Sequence, residues 1–239
     1  MRGCLFTLTL GLAVLVGAAW YLLPAAAGGL IGMALVAAGL QGTGTVVTVS
    51  ANPPFELLSG HADAIRVEST DATWDGLMIG DLRLTLVDVD LGRRTAAKVE
   101  GTLSAVRFGG SEGRPIEAAT VEIAGSGDAP TARLTFDPAA VVEMAAAAIE
   151  ADLGRSPDRL RLAPPDRAVF VLLGRSVSGR LAVDRVGELV LQVAGRVPVV
   201  VLAPGTAGPF RLTDVAVSAD GGLVLSGSLE PRLLGLSGG

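Results

Sequence analysis

The chain contains one histidine and one cysteine, so the chemistry open to it is narrow from the start. His61 follows Ser59-Gly60 at the start of an expected strand. With no second histidine and no cysteine apart from Cys4, it forms no recognisable zinc or copper set. As a general base it would need a serine nucleophile and an acidic orienter, and no Gly-x-Ser-x-Gly step places one. Asp88 and Asp90 alternate along one strand and would share a face, while Asp71 and Asp75 flank Trp74. Paired carboxylates can serve acid–base chemistry or bind calcium, and they equally serve as solvated strand or turn residues. The stretch from Asp71 to Asp81 lacks the spacing of an EF-hand loop. Arg93-Arg94 suits a phosphate headgroup or a plain charged turn. No glycine-rich stretch reads as a P-loop or a dinucleotide fingerprint. The expectation is a protein with no catalytic residues, no metal and no cofactor.

The elements that would carry these residues begin with an uncharged segment. From Gly3 to Gly42 there is no charged side chain, and between Arg2 and His61 only Glu56. Cys4 to Leu23 is apolar or small throughout and would form a helix of ~30 Å, the thickness of a bilayer's hydrocarbon core. Arg2 precedes it and the next basic residue is Arg66, which keeps the amino terminus cytoplasmic and exports the rest. Trp20 and Tyr21 suit the outer interface. Two readings stay open. The segment is an uncleaved anchor, or a signal cleaved after Ala27 in Ala25-Ala26-Ala27, which would release the protein. Cys4 precedes the apolar core and so is no lipoprotein cysteine. The division expected is 1–24 for the membrane segment and 25–239 for an extracytoplasmic domain.

Ala25 to Leu40 is a second apolar stretch, too glycine-rich for a confident span, and is read as a helix bent away at Pro24. Gly28 and Gly32 form a Gly-x-x-x-Gly step, a mark of close helix packing or a chance result of 32 glycines. From Thr43 the pattern changes to period two. Strands are expected at Thr45–Val49, Ala64–Glu68, Leu82–Leu91, Lys98–Phe108, Ile116–Ala124 and Thr131–Phe136. In the third, Leu82, Leu84 and Leu86 give way to Val87, Val89 and Leu91. That one-residue phase slip predicts a β-bulge, which bends a sheet. A helix is marked by Asp137 as N-cap, Pro138 in the first turn and Gly154 past the end. Val142, Ala145, Ile149 and Leu153 would form its apolar face, broadened by Val141, Met144 and Ala148. Further strands follow at Ala168–Leu173, Gly179–Asp184, Glu188–Val193, Val197–Leu202, Arg211–Ser218 and Leu223–Leu229. The fold class is α+β: a membrane or signal helix, then antiparallel strands with one or two helices.

Three segments resemble a family of bacterial envelope proteins named for the mycobacterial protein that maintains lipomannan elongation. The first is Val46–Val49 followed by Pro54-Phe55, Leu57-Leu58, Ser59-Gly60 and Ala64–Glu68. The second is the leucine-alternating strand that runs into Val87–Leu91. The third is Pro209–Val215 with Asp220–Gly227. The resemblance implies a membrane-linked, extracytoplasmic phospholipid binder with a curved sheet wrapped on a helix, similar to tubular lipid-binding folds. No catalytic residues carry over.

Composition is compatible with that. Half of the residues are apolar and only 4% aromatic, so any groove would have smooth walls of Val, Leu and Ala, suited to acyl chains. Candidate groove residues are Leu30, Met33, Leu57, Leu58, Leu82, Leu84, Leu86, Val142, Ala145 and Ile149. With Arg2 set aside, 24 acidic residues outnumber the basic ones and the remainder carries −6, which disfavours nucleic acid as a partner. The partners expected are a membrane and a phospholipid or other acyl lipid. A scaffold that binds other proteins, and an envelope enzyme with an unrecognised site, are the competing readings.

Overall fold

The computed structural model describes residues 22–37, 39–74, 76–109, 116–203 and 209–229. Most of the apolar segment Cys4–Leu23 lies outside them. Among the described residues, no helix is long and apolar enough to cross a membrane.

Residues 22–37 form a helix, α1. It already includes Leu22, Leu23 and Pro24, where the sequence suggested a helix from Ala25 to Leu40, and its described part ends at Ala37. Strand β1 (Gln41–Ser50) follows, then a 3-10 helix (Pro54–Ser59). Next come β2 (His61–Trp74), β3 (Leu77–Asp90), β4 (Thr95–Phe108), β5 (Ile116–Ser126) and β6 (Ala129–Phe136). Helix α2 (Pro138–Leu153) leads into β7 (Arg159–Ala163), β8 (Arg167–Leu172), β9 (Arg175–Val183), β10 (Leu189–Val193) and β11 (Val199–Leu202). The last two are β12 (Phe210–Val217) and β13 (Leu223–Leu229). The chain is thus mostly antiparallel sheet with few helices. One sheet has the order β1-β2-β3-β4-β5-β6-β13-β12 and the other β11-β10-β9-β8-β7.

The phase slip read at Val87 is real and has company. On β3, Leu77 and Ile79 face inward, then Leu82, Leu84 and Leu86, then Val89. The second change of phase centres on Asp88, whose φ is 54°. The neighbouring strands change phase opposite it, at Asp63 on β2 and Ala97 on β4. The first change forms a longer row, through Asp71 (φ 47°), Gly80, Ala105 (φ 49°) and Ala119. Because each strand kinks in the same row, the register on the two sides is unchanged: Ala72 pairs with Ile79 and Thr70 with Asp81. A Cβ on Gly80 would stand 3.1 Å from the Ala105 Cβ, so a glycine is what lets these two kinks lie side by side.

Creases of this kind coil the sheet. Phe210 on edge strand β12 meets Phe108 on β4 edge-on, with ring centroids 6.0 Å apart. Those strands are four places apart in the order, ~19 Å if the sheet were flat at ~4.8 Å per strand. Phe136 closes the cluster, 6.5 Å from Phe108. The interior is almost wholly aliphatic. Ser69 is the buried polar side chain among the described residues, and its hydroxyl is satisfied by Thr45 Oγ1 at 2.8 Å.

Helix α2 begins and ends where its signals stand. Asp137 is extended at the N-cap, although its carboxylate makes no capping hydrogen bond, and Pro138 opens the first turn. Gly154 adopts the left-handed conformation (φ 69°) and donates its N–H to the Glu150 carbonyl at 2.8 Å. The buried face is Val141, Ala145 and Ile149, so Val142 sits at its margin. The helix packs against β11, β7 and β5.

Candidate functional site

Helix α1 carries four large apolar side chains that are more than half exposed. Its sequence from Leu22 to Ala37 contains no polar side chain at all. One side is packed: Ala27, Ile31 and Leu35 lean on the core, and Gly28 is buried. A Cβ at Gly28 would come 2.7 Å from the Val47 carbonyl oxygen, so the helix rests directly on the backbone of β1. The glycine pair singled out in the sequence therefore serves helix-on-strand packing, and through Gly28 alone. At Gly32 the nearest atom would be a Val47 methyl at 3.6 Å, an ordinary contact. The other side of α1 is open, with Leu22 and Leu30 each 65% exposed, Met33 63% and Val36 56%.

The 3-10 helix Pro54–Ser59 also exposes large apolar side chains. Pro54 is buried and Leu57 half-buried against the core, whereas Phe55 and Leu58 are 63% and 74% exposed. Gly60 ends it in the left-handed conformation (φ 84°). Its carbonyl accepts a 2.7 Å hydrogen bond from the Leu91 N–H, which ties this helix to the β3–β4 turn.

His61 lies just beyond. Its Nε2 is 3.7 Å from Asp88 and 4.0 Å from each of Glu56 and Asp63. These distances are ion pairs only when the imidazole is protonated, and none is a hydrogen bond. Ligand atoms of Glu56, His61 and Asp63 all lie within 4.8 Å of one another. The group is a solvated cluster at the surface. Asp88 and Asp90 differ in their roles: Asp88 carries the bulge, while Asp90 accepts the Arg93 N–H at 2.8 Å and fixes the turn.

A concavity of about 680 Å³ opens on the outside of the small sheet between Arg167, Ser178 and Gln192. Arg180 Nε donates to Asp166 there at 2.5 Å. Its lining mixes Pro165, Val169 and Ala194 with the charged Asp166, Arg167 and Arg180, and none of the expected groove residues is among them.

The ten groove candidates divide into two sets. Leu82, Leu84, Leu86, Ala145 and Ile149 are buried in one continuous core, with Leu57 and Val142 half-buried. Leu30, Met33 and Leu58 are exposed. Sequence reasoning passed over Phe55, Leu22 and Val36 as contact residues; for Leu22 and Val36 the run without polar side chains was the available signal, whereas Phe55 stands next to Glu56. No family model matches the chain, and neither a curated protein nor a solved structure matches it.

Proposed function

We propose that this chain is a membrane-tethered, extracytoplasmic domain that engages phospholipid or another acyl lipid, without catalysis. The observation that carries the reading is the open face of α1. A helix that is apolar all round belongs in a protein core or in lipid. Here one side is covered by β1 and the other is not, so a second apolar phase is required. Full burial is worth roughly 1.5–3 kcal/mol for each such side chain, hence on the order of 5 kcal/mol for four that are about two-thirds exposed. The uncharged run from Gly3 leads straight into this helix, which makes a bilayer the nearest apolar phase.

The coiled sheet also supports the resemblance to tubular lipid-binding folds. Helix α2 touches both edges of the small sheet, β11 and β7. Those edges would be ~19 Å apart if flat, against a helix ~10 Å wide, so that sheet curls around α2. Within this reading Leu30, Met33 and Leu58 are the lipid-contacting residues, and Leu82, Leu84, Leu86 and Ile149 shape the scaffold behind them.

A structural domain that binds another protein is the second reading, favoured by the dense filling of the core around Ile149 and Leu84. Native mass spectrometry on the full chain purified from membranes, with lipid extraction, separates the two. Stoichiometric phospholipid supports lipid engagement. A clean apo mass with no uptake from added liposomes selects the scaffold.

A further inference from the structure

The open face of α1 is not alone at its end of the molecule. Gly28 sits on Val47 and Val49, late in β1, while Leu40 and Gln41 join the two elements at the far end. Helix α1 therefore runs antiparallel to β1, and its Leu22 end lies where β1 hands over to Pro54–Ser59. Phe55 and Leu58 project from that segment while Pro54 and Leu57 root it in the core. Single exposed leucines need no explanation, but two large apolar side chains on one rooted helical turn form a wedge. The β3–β4 turn, held to Gly60 by the Leu91 hydrogen bond, presents Arg93 and Arg94 beside it, with Arg93 kept in place by Asp90. Apolar tips flanked by arginines match the boundary between acyl chains and phosphates.

We infer that this tip is a second membrane contact, in which Phe55 and Leu58 enter the acyl boundary of a phospholipid bilayer and Arg93 and Arg94 meet its phosphates. The inference rests on the reading that α1 faces a bilayer, and it fixes how the domain is held there: at two places, not one. The occupant is lipid because the charge-free chain before Leu22 delivers this end of the domain to the membrane. Glu56, on the wedge helix itself, gathers with Asp63 and Asp88 around His61, so the tip carries no excess of positive charge. Insertion, not attraction to anionic lipid, drives the contact, and neutral phosphatidylcholine suffices.

The test uses the full chain in a Cys4→Ser background, reconstituted in phosphatidylcholine vesicles. Single cysteines at Phe55→Cys, Leu58→Cys, Met33→Cys and Thr102→Cys carry an environment-sensitive dye. Thr102 is exposed on the outward face of β4 and serves as the water-facing control. With lipid bearing a quencher high on the acyl chain, the dyes at Phe55, Leu58 and Met33 are expected to lose fluorescence while that at Thr102 keeps it. Loss at Met33 without loss at either tip position overturns the second contact and leaves the reading of α1 standing. No loss at Met33 or at either tip position overturns both. All labelled positions are exposed, so the label displaces no core residue, and two tip positions guard against failure of one variant.

Discussion

The two α-helices among the described residues both pack through small aliphatic side chains and do opposite things. Helix α2 buries Val141, Ala145 and Ile149 and turns Glu143, Glu150 and Asp152 to solvent. Water covers its far side at no cost. Helix α1 buries Gly28 and half-buries Ile31 and Leu35, but its far side offers Leu22, Leu30, Met33 and Val36. The difference is not in how either helix packs but in what is left over once packing is complete. An amphipathic helix is finished by its own domain; a uniformly apolar one needs a second apolar phase.

Substitution at the centre of each buried or open face should separate them most. Ile149→Ala is expected to cost about 2–5 kcal/mol, since it leaves a cavity in a closed core. Met33→Ala should stay within about 0.5 kcal/mol in detergent micelles, where the exposed face is solvated either way. Denaturant unfolding followed by tryptophan fluorescence reads both. Equal losses would erase the contrast between the helices.

The seat of α1 on β1 can be sharpened with its two glycines. Gly28→Ala forces a methyl against the Val47 carbonyl oxygen and should destabilise the helix–strand contact by about 1–3 kcal/mol. Gly32→Ala meets only ordinary contact and should stabilise by up to ~1 kcal/mol through helix propensity. Opposite signs in the same unfolding assay are the expected result. Matching signs would mean that the Val47 contact does not hold the helix.

The smallest effect is an acid one at the base of α2. The β12–β13 turn stands beside Pro138, and in it the Ser218 hydroxyl donates to Asp220 at 2.5 Å. That bond first, and the Gly222 N–H second, hold the Asp220 carboxyl below the ordinary aspartate value. A lowered folded-state pKa stabilises the fold above the unfolded value and is lost as pH falls through the folded one. Denaturation midpoints measured from neutral to acid pH should therefore drop less steeply on the acid side in Asp220→Asn. An unchanged slope would assign the acid sensitivity to other carboxylates.

Much of the fold was legible in the sequence because its signals are local. Asp137-Pro138 and Gly154 bracket α2 to the residue, and the slip at Val87 marks a true crease at Asp88. Strand β7 was overlooked, although Leu160 and Leu162 alternate with Arg159 and Arg161. The crease through Asp71, Gly80 and Ala105 was missed for a different reason: its phase changes are spread over separate strands and align only after pairing. The candidate site was harder still. Leu84 and Leu58 look alike in a sequence, and only the neighbours brought by the fold leave one at 6% and the other at 74% exposure.

By itself, the sequence determined the antiparallel class, the bounds of α2 and the charge-free run into α1, since period, caps and charge are written residue by residue. The tertiary structure decided which apolar side chains are core and which are surface. It also decided that Gly28 meets Val47 and that Phe55 and Leu58 share an end with the start of α1. The reason is physical: burial belongs to contacts between distant segments, and the coiling that creates those contacts follows from creases aligned across several strands.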